Sequence, residues 1–250
     1  MPTPFPLKSV SGSLDTLTAS VRTPSPGALP PRDGAVLQSV YDREAHHMRR
    51  MRDGSAPALW YDWVPQAALS VSGREHGRLG DIDHFTAEPV AIRGTGGTVV
   101  PQGPGTINIS VLSRHPRHPG IRETYAALCE ALRQGFAAMG LETTTGARPG
   151  SFCDGDHNIL LEGRKLVGTA QRWALAPDGG AVCLHHCVIL SGGSAETLCA
   201  RAEALYAHAG RDVRYDRDAH SAVPLDRAAL GAAMEKPLRA YIVRSEEDRL

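Results

Sequence analysis

The sequence predicts a single α/β domain in which helices pack on mixed β-sheets, and three patterns support this fold class. Residues 121–139 place apolar side chains at every third or fourth position, as an amphipathic helix does. Residues 106–112 alternate apolar and polar side chains, as a half-buried strand does. Residues 159–167 hold two apolar runs around the turn Glu162-Gly163-Arg164, which indicates a β-hairpin.

The composition is that of one soluble domain. The 250 residues are 42% hydrophobic and 22% charged, which allows a sizeable core. Lys+Arg and Asp+Glu both number 27, so no global basic field attracts nucleic acid or a membrane surface. No apolar run approaches the length of a membrane span. Five cysteines, an odd number, and no apolar leader predict free thiols in a cytoplasmic protein.

The first half of the chain is predicted to begin with an arm and a helix. Residues 1–32 are rich in Pro, Ser and Thr and are expected to form an extended arm, which leaves residues 33–250 as the domain. Asp33 is expected to cap a helix that reaches about Arg52, because Val36, Val40 and Met48 lie on one stripe. Short apolar runs then predict strands at residues 58–63, 68–72 and 89–92, with a loop or short helix at residues 75–87.

The second half alternates strands and helices around the hairpin. A β-prone run at residues 141–145 precedes it, and residues 181–190 read as a buried strand. Ser194 is expected to cap a helix that reaches about residue 209. A polar loop at residues 210–224 leads to a last helix over residues 226–243, which is expected to be interrupted or bent near Pro237.

A cysteine and a lysine flank the hairpin in a way that suggests chemistry. Cys153 lies in a turn-rich loop before the first strand, and Lys165 follows the hairpin turn. A thiolate is the nucleophilic form of cysteine, and a nearby ammonium group lowers the thiol pKa. Attack on an acyl donor would leave a thioester that a second nucleophile could collect. Hairpin pairing sets Lys165 opposite about Leu161, so the loop has to fold back for the two side chains to meet. The alternative is a surface loop before an ordinary hairpin.

Two further segments each permit a functional or a structural interpretation. The glycines of Arg93–Val100 would let the backbone approach a ligand closely, although many such loops are simple turns. The segment lacks the Lys-Ser/Thr ending of a P-loop and does not match a dinucleotide fingerprint. On the strand at residues 181–190, Cys183, His185 and Cys187 share one face and His186 takes the other. Zinc sites usually draw their ligands from turns, so no metal is expected there.

In combination, these segments resemble the biotin/lipoate protein ligase superfamily over about residues 33–209. Cys153, the turn Gly163-Arg164-Lys165 and the segment Gly168–Arg172 are similar to the loop cysteine, Gly-Arg/Lys-Lys turn and Gln-Arg segment of cysteine-dependent octanoyltransferases. Arg93–Val100 resembles the superfamily's R-x-x-G-G-x-x-V loop, and Gly105–Ser110 resembles the segment that follows it. Arg74 and His186 stand at the positions of a superfamily arginine and histidine.

The resemblance implies an α/β fold of the biotin/lipoate protein ligase catalytic-domain type and acyl transfer in lipoate metabolism. Cys153 would accept an octanoyl or lipoyl group as a thioester, and Lys165 would lower the pKa of its thiol. A lysine of a lipoyl-domain protein would then take the acyl group as an amide. The residues implied to bind the acyl group or substrate are Arg74, Arg93, Gly96, Gly97, Asn108, Gly168, Gln171 and His186.

The same resemblance implies partners and leaves two alternatives open. The expected partners are the glycine cleavage H protein, 2-oxoacid dehydrogenase acyltransferase subunits and acyl carrier protein, with no ATP or metal required. One alternative is an ATP-dependent lipoate–protein ligase that uses ATP, Mg and lipoate through an acyl-adenylate. Against it, Val100-Pro101-Gln102 lacks the histidine that many lipoate ligases carry after the valine. The other alternative is a non-catalytic protein that binds a lipoyl-domain protein or an acyl ligand.

Overall fold

A computed structural model describes residues 36–82, 84–221 and 223–248. The predicted arm at residues 1–32 and the predicted cap Asp33 lie outside these ranges. Within them, nine strands form two sheets, and five α-helices pack around the sheets. The α/β fold class with mixed sheets is therefore confirmed.

The larger sheet has six antiparallel strands and contains the predicted hairpin. Its spatial order is β1-β5-β9-β8-β7-β6. These strands span Leu59–Trp63 (β1), Thr106–His115 (β5), Ala181–Leu190 (β9), Arg164–Leu175 (β8), Asn158–Leu161 (β7) and Thr143–Gly146 (β6). Lys165 pairs with Leu160, one residue from the predicted Leu161. Strand β8 continues far beyond the hairpin and carries the whole small-residue segment that follows Lys165.

The smaller sheet has three strands, in the order β3-β2-β4. They span Val90–Arg93 (β3), Ala68–Ser72 (β2) and Val100–Gln102 (β4). Strand β2 runs parallel to β3 and antiparallel to β4. The glycine-rich loop therefore connects the two outer strands of this sheet and lies at its end.

The helices lie where the sequence patterns predicted them, although the first begins at Leu37 with Val36, and not Asp33, as its N-cap residue. They span Leu37–Arg52 (α1), Gly73–Leu79 (α2), Ile121–Ala138 (α3), Ala195–His208 (α4) and Arg227–Glu246 (α5). The predicted cap Ser194 accepts a hydrogen bond from the Thr197 amide. Helix α5 runs through Pro237 without interruption, so the predicted break is absent. None of the helices in the described ranges has the length and apolar character needed to cross a membrane.

Packing leaves one face of the large sheet available for a site. Ile109 and Val111 point to the face that packs on α3 and α5, where Leu128 and Leu238 complete the main core. Each fully buried aliphatic side chain of this kind stabilises the fold by roughly 1.5–3 kcal/mol. The alternate residues of the same strands face α1 and the small sheet instead. A second apolar cluster joins β2 to α4, which holds the small sheet in place over that opposite face.

Candidate active site

A largely apolar cavity lies between the two sheets. Its apolar walls come from both sheets and from the cysteine loop, and include Trp63, Val100, Phe152, Val188 and Leu190. A wall of this composition suits an alkyl chain. Polar side chains line the same cavity around Cys153 and Lys165 and around His186.

Cys153 stands in the cavity wall in a constrained backbone conformation. Its φ of 52° lies in the left-handed region, which is uncommon for residues other than glycine. Its amide donates a hydrogen bond of 3.1 Å to the Thr98 hydroxyl, which ties the cysteine loop to the glycine-rich loop. A Cβ atom at Gly97 would lie 2.3 Å from the Cys153 sulfur, so only glycine leaves room for the thiol. The glycine-rich loop thus accommodates the Cys153 thiol directly.

Lys165 reaches back from β8 to the cysteine loop. The side chain is buried, and its Nζ donates hydrogen bonds to the carbonyl oxygens of Phe152 at 2.6 Å and Cys153 at 2.8 Å. A Cβ atom at Gly168 would lie 3.2 Å from the same Nζ, so this glycine makes room for the ammonium group. The cysteine loop folds back as the chemistry requires. An ammonium group has three N–H donors, and Lys165 uses two of them in these bonds.

The charges around Cys153 favour its thiolate. Burial raises the pKa of the thiol, but the positive charges of Lys165 and Arg93 outweigh burial and bring that pKa below its ordinary value. Burial also lowers the pKa of Lys165 to about 8, while the nearby Cys153 opposes this change. The cations beside Cys153 therefore stabilise its thiolate against the effect of burial.

The other four cysteines behave in the opposite way. Each is buried, and burial raises the thiol pKa of all of them: Cys129, Cys183, Cys187 and Cys199. For Cys129 the pKa rises to about 12 and for Cys199 to about 11. The structure thus singles out Cys153 among the five thiols of the chain.

Arg93 organises the glycine-rich loop. Its guanidinium group donates to the carbonyl oxygens of Ser70 at 2.7 Å, Gly96 at 2.9 Å and Thr98 at 2.7 Å. These bonds fix the loop against β2, and they leave a buried positive charge behind the thiol. Arg93 lines the cavity as expected, and its hydrogen bonds show that it also holds the loop together.

A buried acid that sequence reasoning missed holds the opposite wall. Glu44 accepts hydrogen bonds from the hydroxyls of Tyr61 and Ser110, both at 2.6 Å, and its other oxygen lies 2.7 Å from His186 Nε2. The remaining ring nitrogen of His186 lies 3.0 Å from the Thr95 hydroxyl. Burial raises the Glu44 pKa, but His186 and the hydrogen bonds bring it below its ordinary value. The available signal was a charged residue on the apolar stripe of α1.

His220 is a second residue that the sequence did not reveal. It comes from the predicted polar loop, and its ring stacks on Phe152 with 4.3 Å between centroids. Its Nε2 accepts a hydrogen bond of 3.1 Å from the Phe152 amide, so the ring proton is on Nδ1, 3.0 Å from the Asp216 carbonyl. Burial, followed by the Lys165 charge, lowers the His220 pKa to about 4. A neutral imidazole therefore fixes the backbone beside Cys153.

The structure brings together most of the predicted site residues. Cys153, Lys165, Arg93, Asn108, Gly168 and His186 all line the cavity. Gly97 touches the thiol, whereas Gly96 faces an open groove outside the cavity.

Two predicted positions lie elsewhere. Arg74 is exposed on α2 and lines the outer groove, because the helix turns its side chain away from the cavity. Gln171 points to the other face of β8, where it donates to the Ile121 carbonyl at 3.0 Å. Strand alternation separates Gln171 from its neighbour Ala170, which does line the cavity.

The cysteine–histidine strand shows the predicted split between its faces. His186 faces the cavity, and Cys183 faces the core with its sulfur 3.3 Å from His185 Nε2. The same His185 nitrogen lies 2.8 Å from the Tyr241 hydroxyl. Across the described ranges, the His, Cys, Asp and Glu side chains form no group of three that could hold a metal ion.

Comparison with known proteins gives a family and several relatives. The family model for the lipoyl protein ligase A/B catalytic domain matches residues 46–208. An octanoyl-GcvH:protein N-octanoyltransferase of Kyrpidia tusciae is 36% identical over 130 residues, which cover 50% of this chain and 45% of that protein. A protein of the same name from Geobacillus kaustophilus is 29% identical, over 59% of this chain and 54% of its own. The chain thus spans about half the length of these curated relatives.

Solved structures share the fold at low sequence identity. Lipoate-protein ligase A bound with ATP superposes with a TM-score of 0.60 at 15% identity, covering 78% of both chains. A bipartite lipoate protein ligase from Thermoplasma acidophilum gives a TM-score of 0.54 at 15% identity, covering 79% of this chain and 77% of that one. These similarities establish the catalytic-domain fold expected from the sequence.

Proposed function

Because the chain belongs to the lipoyl protein ligase A/B catalytic domain family, we propose that it is an acyltransferase of lipoate metabolism. It moves an octanoyl or lipoyl group, through a thioester on Cys153, to a lysine of a lipoyl-domain protein. The observation that carries this proposal is the pairing of Cys153, whose thiol pKa is lowered, with the buried Lys165 beside an apolar cavity. The names of the relatives from Kyrpidia tusciae and Geobacillus kaustophilus support the same activity.

In the first step, the Cys153 thiolate attacks the acyl carbonyl of the donor. The carbon–sulfur bond forms as the bond from the acyl carbon to the donor's nitrogen or sulfur breaks, and the leaving group takes up a proton. Lys165, with a pKa of about 8, is a suitable acid for this proton near neutral pH. Its third N–H donor is available to hold the acyl oxygen while negative charge develops there.

In the second step, the amine of the acceptor lysine attacks the thioester. The amide bond forms, the carbon–sulfur bond breaks, and the sulfur leaves as the thiolate that Lys165 and Arg93 stabilise. The acceptor ammonium loses one proton to water before it attacks, and its nitrogen loses a second proton as the amide forms. Lys165, which has given up its own proton in the first step, can take this second proton. Each turnover returns the Cys153–Lys165 pair to its starting state.

The reaction needs no ATP, because the acyl group is already activated as a thioester or is drawn from an acyl-lysine by the thiolate. We propose the glycine cleavage H protein as a donor or acceptor, since the relatives' names include GcvH. Acyl carrier protein is a second donor, and 2-oxoacid dehydrogenase acyltransferase subunits are further acceptors. No metal takes part in this scheme.

The test is intact mass spectrometry of the protein after incubation without ATP. One arm supplies octanoylated H protein and a second arm supplies octanoyl-acyl carrier protein. We expect a gain of one octanoyl group that hydroxylamine removes, because thioesters are cleaved by hydroxylamine and amides are not. Cys153→Ala should abolish the adduct. Cys129→Ala, which removes a buried thiol of raised pKa, should retain it.

The alternatives give different results in the same experiment. An ATP-dependent ligase would form no adduct from either donor and would modify a lipoyl domain only with ATP, Mg and lipoate. A non-catalytic binder would modify nothing, and its affinity for the lipoyl-domain protein would tolerate both Cys153→Ala and Lys165→Ala. Either result would overturn the transferase proposal.

A further inference from the structure

The apolar cavity contains amide groups that have no partner. Both side-chain atoms of Asn108 and the Oε1 atom of Gln102 are buried without a hydrogen-bond partner among the described residues. Asn108 is 3% exposed and Gln102 is 1% exposed, and both side chains line the cavity. Buried polar groups are nearly always hydrogen-bonded in folded proteins, so unpaired amides in a cavity wall indicate a missing polar partner.

The register of the large sheet locates this polar point relative to the reactive pair. Asn108 on β5 pairs with Val188 on β9, which in turn pairs with Gly168 on β8. Asn108 therefore stands two strand spacings from Gly168, roughly 10 Å across the same face of the sheet. Because the ammonium group of Lys165 packs over Gly168, the thioester carbonyl belongs at the Gly168 end. Asn108 meets the acyl chain far from that carbonyl.

We propose that this cavity selects acyl chains that carry a hydroxyl group toward the tail, and this inference rests on the acyltransferase function proposed above. The Asn108 side chain presents an N–H donor and a C=O acceptor. A hydroxyl group can accept from the first and donate to the second, whereas a plain alkyl chain leaves both unpaired. The unpaired side-chain oxygen of Gln102, in the wall of the same cavity, offers a further acceptor for a hydroxyl group.

The test compares donors of equal chain length on the wild-type protein. Three acyl carrier proteins are loaded with octanoyl, with octanoyl hydroxylated on the penultimate carbon, and with octanoyl hydroxylated on the β-carbon. We expect the tail-hydroxylated donor to form the Cys153 thioester with a kcat/KM about 10-fold above that of octanoyl, which corresponds to about 1.4 kcal/mol. The β-hydroxylated donor should gain nothing, because its hydroxyl lies at the Gly168 end.

Variants assign the preference to the amide. Asn108→Leu has a similar volume and no polar group, so the ratio of kcat/KM for the tail-hydroxylated donor to kcat/KM for octanoyl should fall to about 1, whatever the rate with either donor alone. Thr143→Val is the matched control, because the Thr143 hydroxyl is also buried and unpaired but lies on the distant edge strand β6. This control should keep the wild-type ratio between the donors.

Each outcome bears on a different claim. Equal reaction of octanoyl and tail-hydroxylated donors with the wild-type protein would overturn the inference and leave the transferase function intact, because it would show that a water satisfies Asn108 beside any chain. A preference that persists in Asn108→Leu would also overturn it. No thioester from any of the three donors would instead contradict the proposed function itself. The wild-type ratio decides the matter even if Asn108→Leu fails to fold.

Discussion

Two walls of the cavity differ in their polar contacts: the cysteine wall, formed by Cys153, Lys165 and Arg93, and the Glu44 wall, formed by Glu44 and His186. The cysteine wall contains a left-handed Cys153, the buried ammonium group of Lys165 and a thiol whose pKa the nearby positive charges lower. Lys165 and Arg93 donate mainly to backbone carbonyl oxygens. In the Glu44 wall, the buried carboxylate is hydrogen-bonded to Tyr61, Ser110 and His186. The second ring nitrogen of His186 is hydrogen-bonded to the Thr95 hydroxyl. The first wall therefore presents a thiol to the cavity, whereas the polar groups of the second wall are hydrogen-bonded to one another. We infer that the second wall supplies the rigid frame against which the reactive loop is held.

The largest effect should come from removing the ammonium group. Lys165→Met keeps most of the buried volume but leaves Arg93 as the remaining cation that opposes the effect of burial on the Cys153 pKa. We expect acyl transfer to fall by roughly 100-fold or more. The pH midpoint for alkylation of Cys153 should rise, because the thiolate then forms only at higher pH.

The matched control is Lys236→Met, which makes the same change at an exposed lysine of α5. It should alter neither transfer nor the alkylation midpoint. An unchanged midpoint in Lys165→Met would show that Lys165 does not set the Cys153 pKa.

Gly96 and Gly97 are adjacent in the glycine-rich loop, but only Gly97 lies against the Cys153 thiol, so the same substitution at both tests that contact. Gly97→Ala places a Cβ atom 2.3 Å from the Cys153 sulfur, at a φ of 99° that disfavours alanine. Displacement of the thiol should lower thioester formation by roughly 10- to 100-fold. At Gly96 a Cβ atom meets nothing within 4 Å, so Gly96→Ala should have a much smaller effect. Equal single-turnover rates in the two variants would contradict this division.

His220 tests how far the reactive wall depends on the C-terminal part of the chain. His220→Phe keeps a ring beside Phe152 but leaves the Phe152 amide without its acceptor. Loss of this bond should loosen the backbone beside Cys153 and lower kcat about 10-fold, with KM for the donor little changed. His208→Phe, at an exposed histidine of α4, is the control for the substitution itself. A change in KM alone would assign His220 to substrate binding instead.

The smallest effect on chemistry should come from the Glu44 wall. Glu44→Gln keeps the shape of the side chain but removes the charge that faces His186. We expect a loss of about 1–3 kcal/mol in the free energy of unfolding, measured by denaturant titration. The alkylation midpoint of Cys153 should not move. A shift of that midpoint would mean that the two walls are electrostatically coupled.

Acid should destabilise the protein through its buried neutral histidines. Burial lowers the pKa of His115 and His220 to about 4 and that of His185 to about 3, against an ordinary value of 6.5. Between these values the unfolded chain binds more protons than the folded one, so stability falls as pH drops below about 6.5. Thermal unfolding followed from pH 7 to pH 4 should show a falling midpoint. A midpoint that stays constant would contradict the burial of these rings.

The sequence predicted the elements whose signal is local. The stripes of α1 and α3 and the two runs of the hairpin repeat over a few residues, so periodicity located them. Glu44 and His186 are 142 residues apart, and Phe152 and His220 are 68 residues apart, so only tertiary structure brings either pair together. The prediction for Gln171 was wrong because the sequence does not show which residues of β8 face the cavity and which face the opposite side of the sheet.

The sequence singled out Cys153 and Lys165, which the structure brings together, but it did not reveal the residues around them. The resemblance identified Cys153 and Lys165, and the contact between the Lys165 ammonium and the carbonyls of Phe152 and Cys153 shows how the loop achieves the pairing. Arg74 was expected from its position in a motif alone, and the start of α2 turns it to solvent. A residue's position in a motif therefore predicted a place in the cavity only where the backbone directs its side chain there.

The most direct test of the account is a single-turnover chase of the isolated thioester. The protein is loaded with octanoyl, freed of donor, and mixed with an apo lipoyl domain in the absence of ATP. We expect the octanoyl mass to leave Cys153 and to appear on the acceptor lysine as a hydroxylamine-stable amide. Retention of the octanoyl group on Cys153 while the acceptor stays unmodified would contradict the role of Cys153 as an acyl relay.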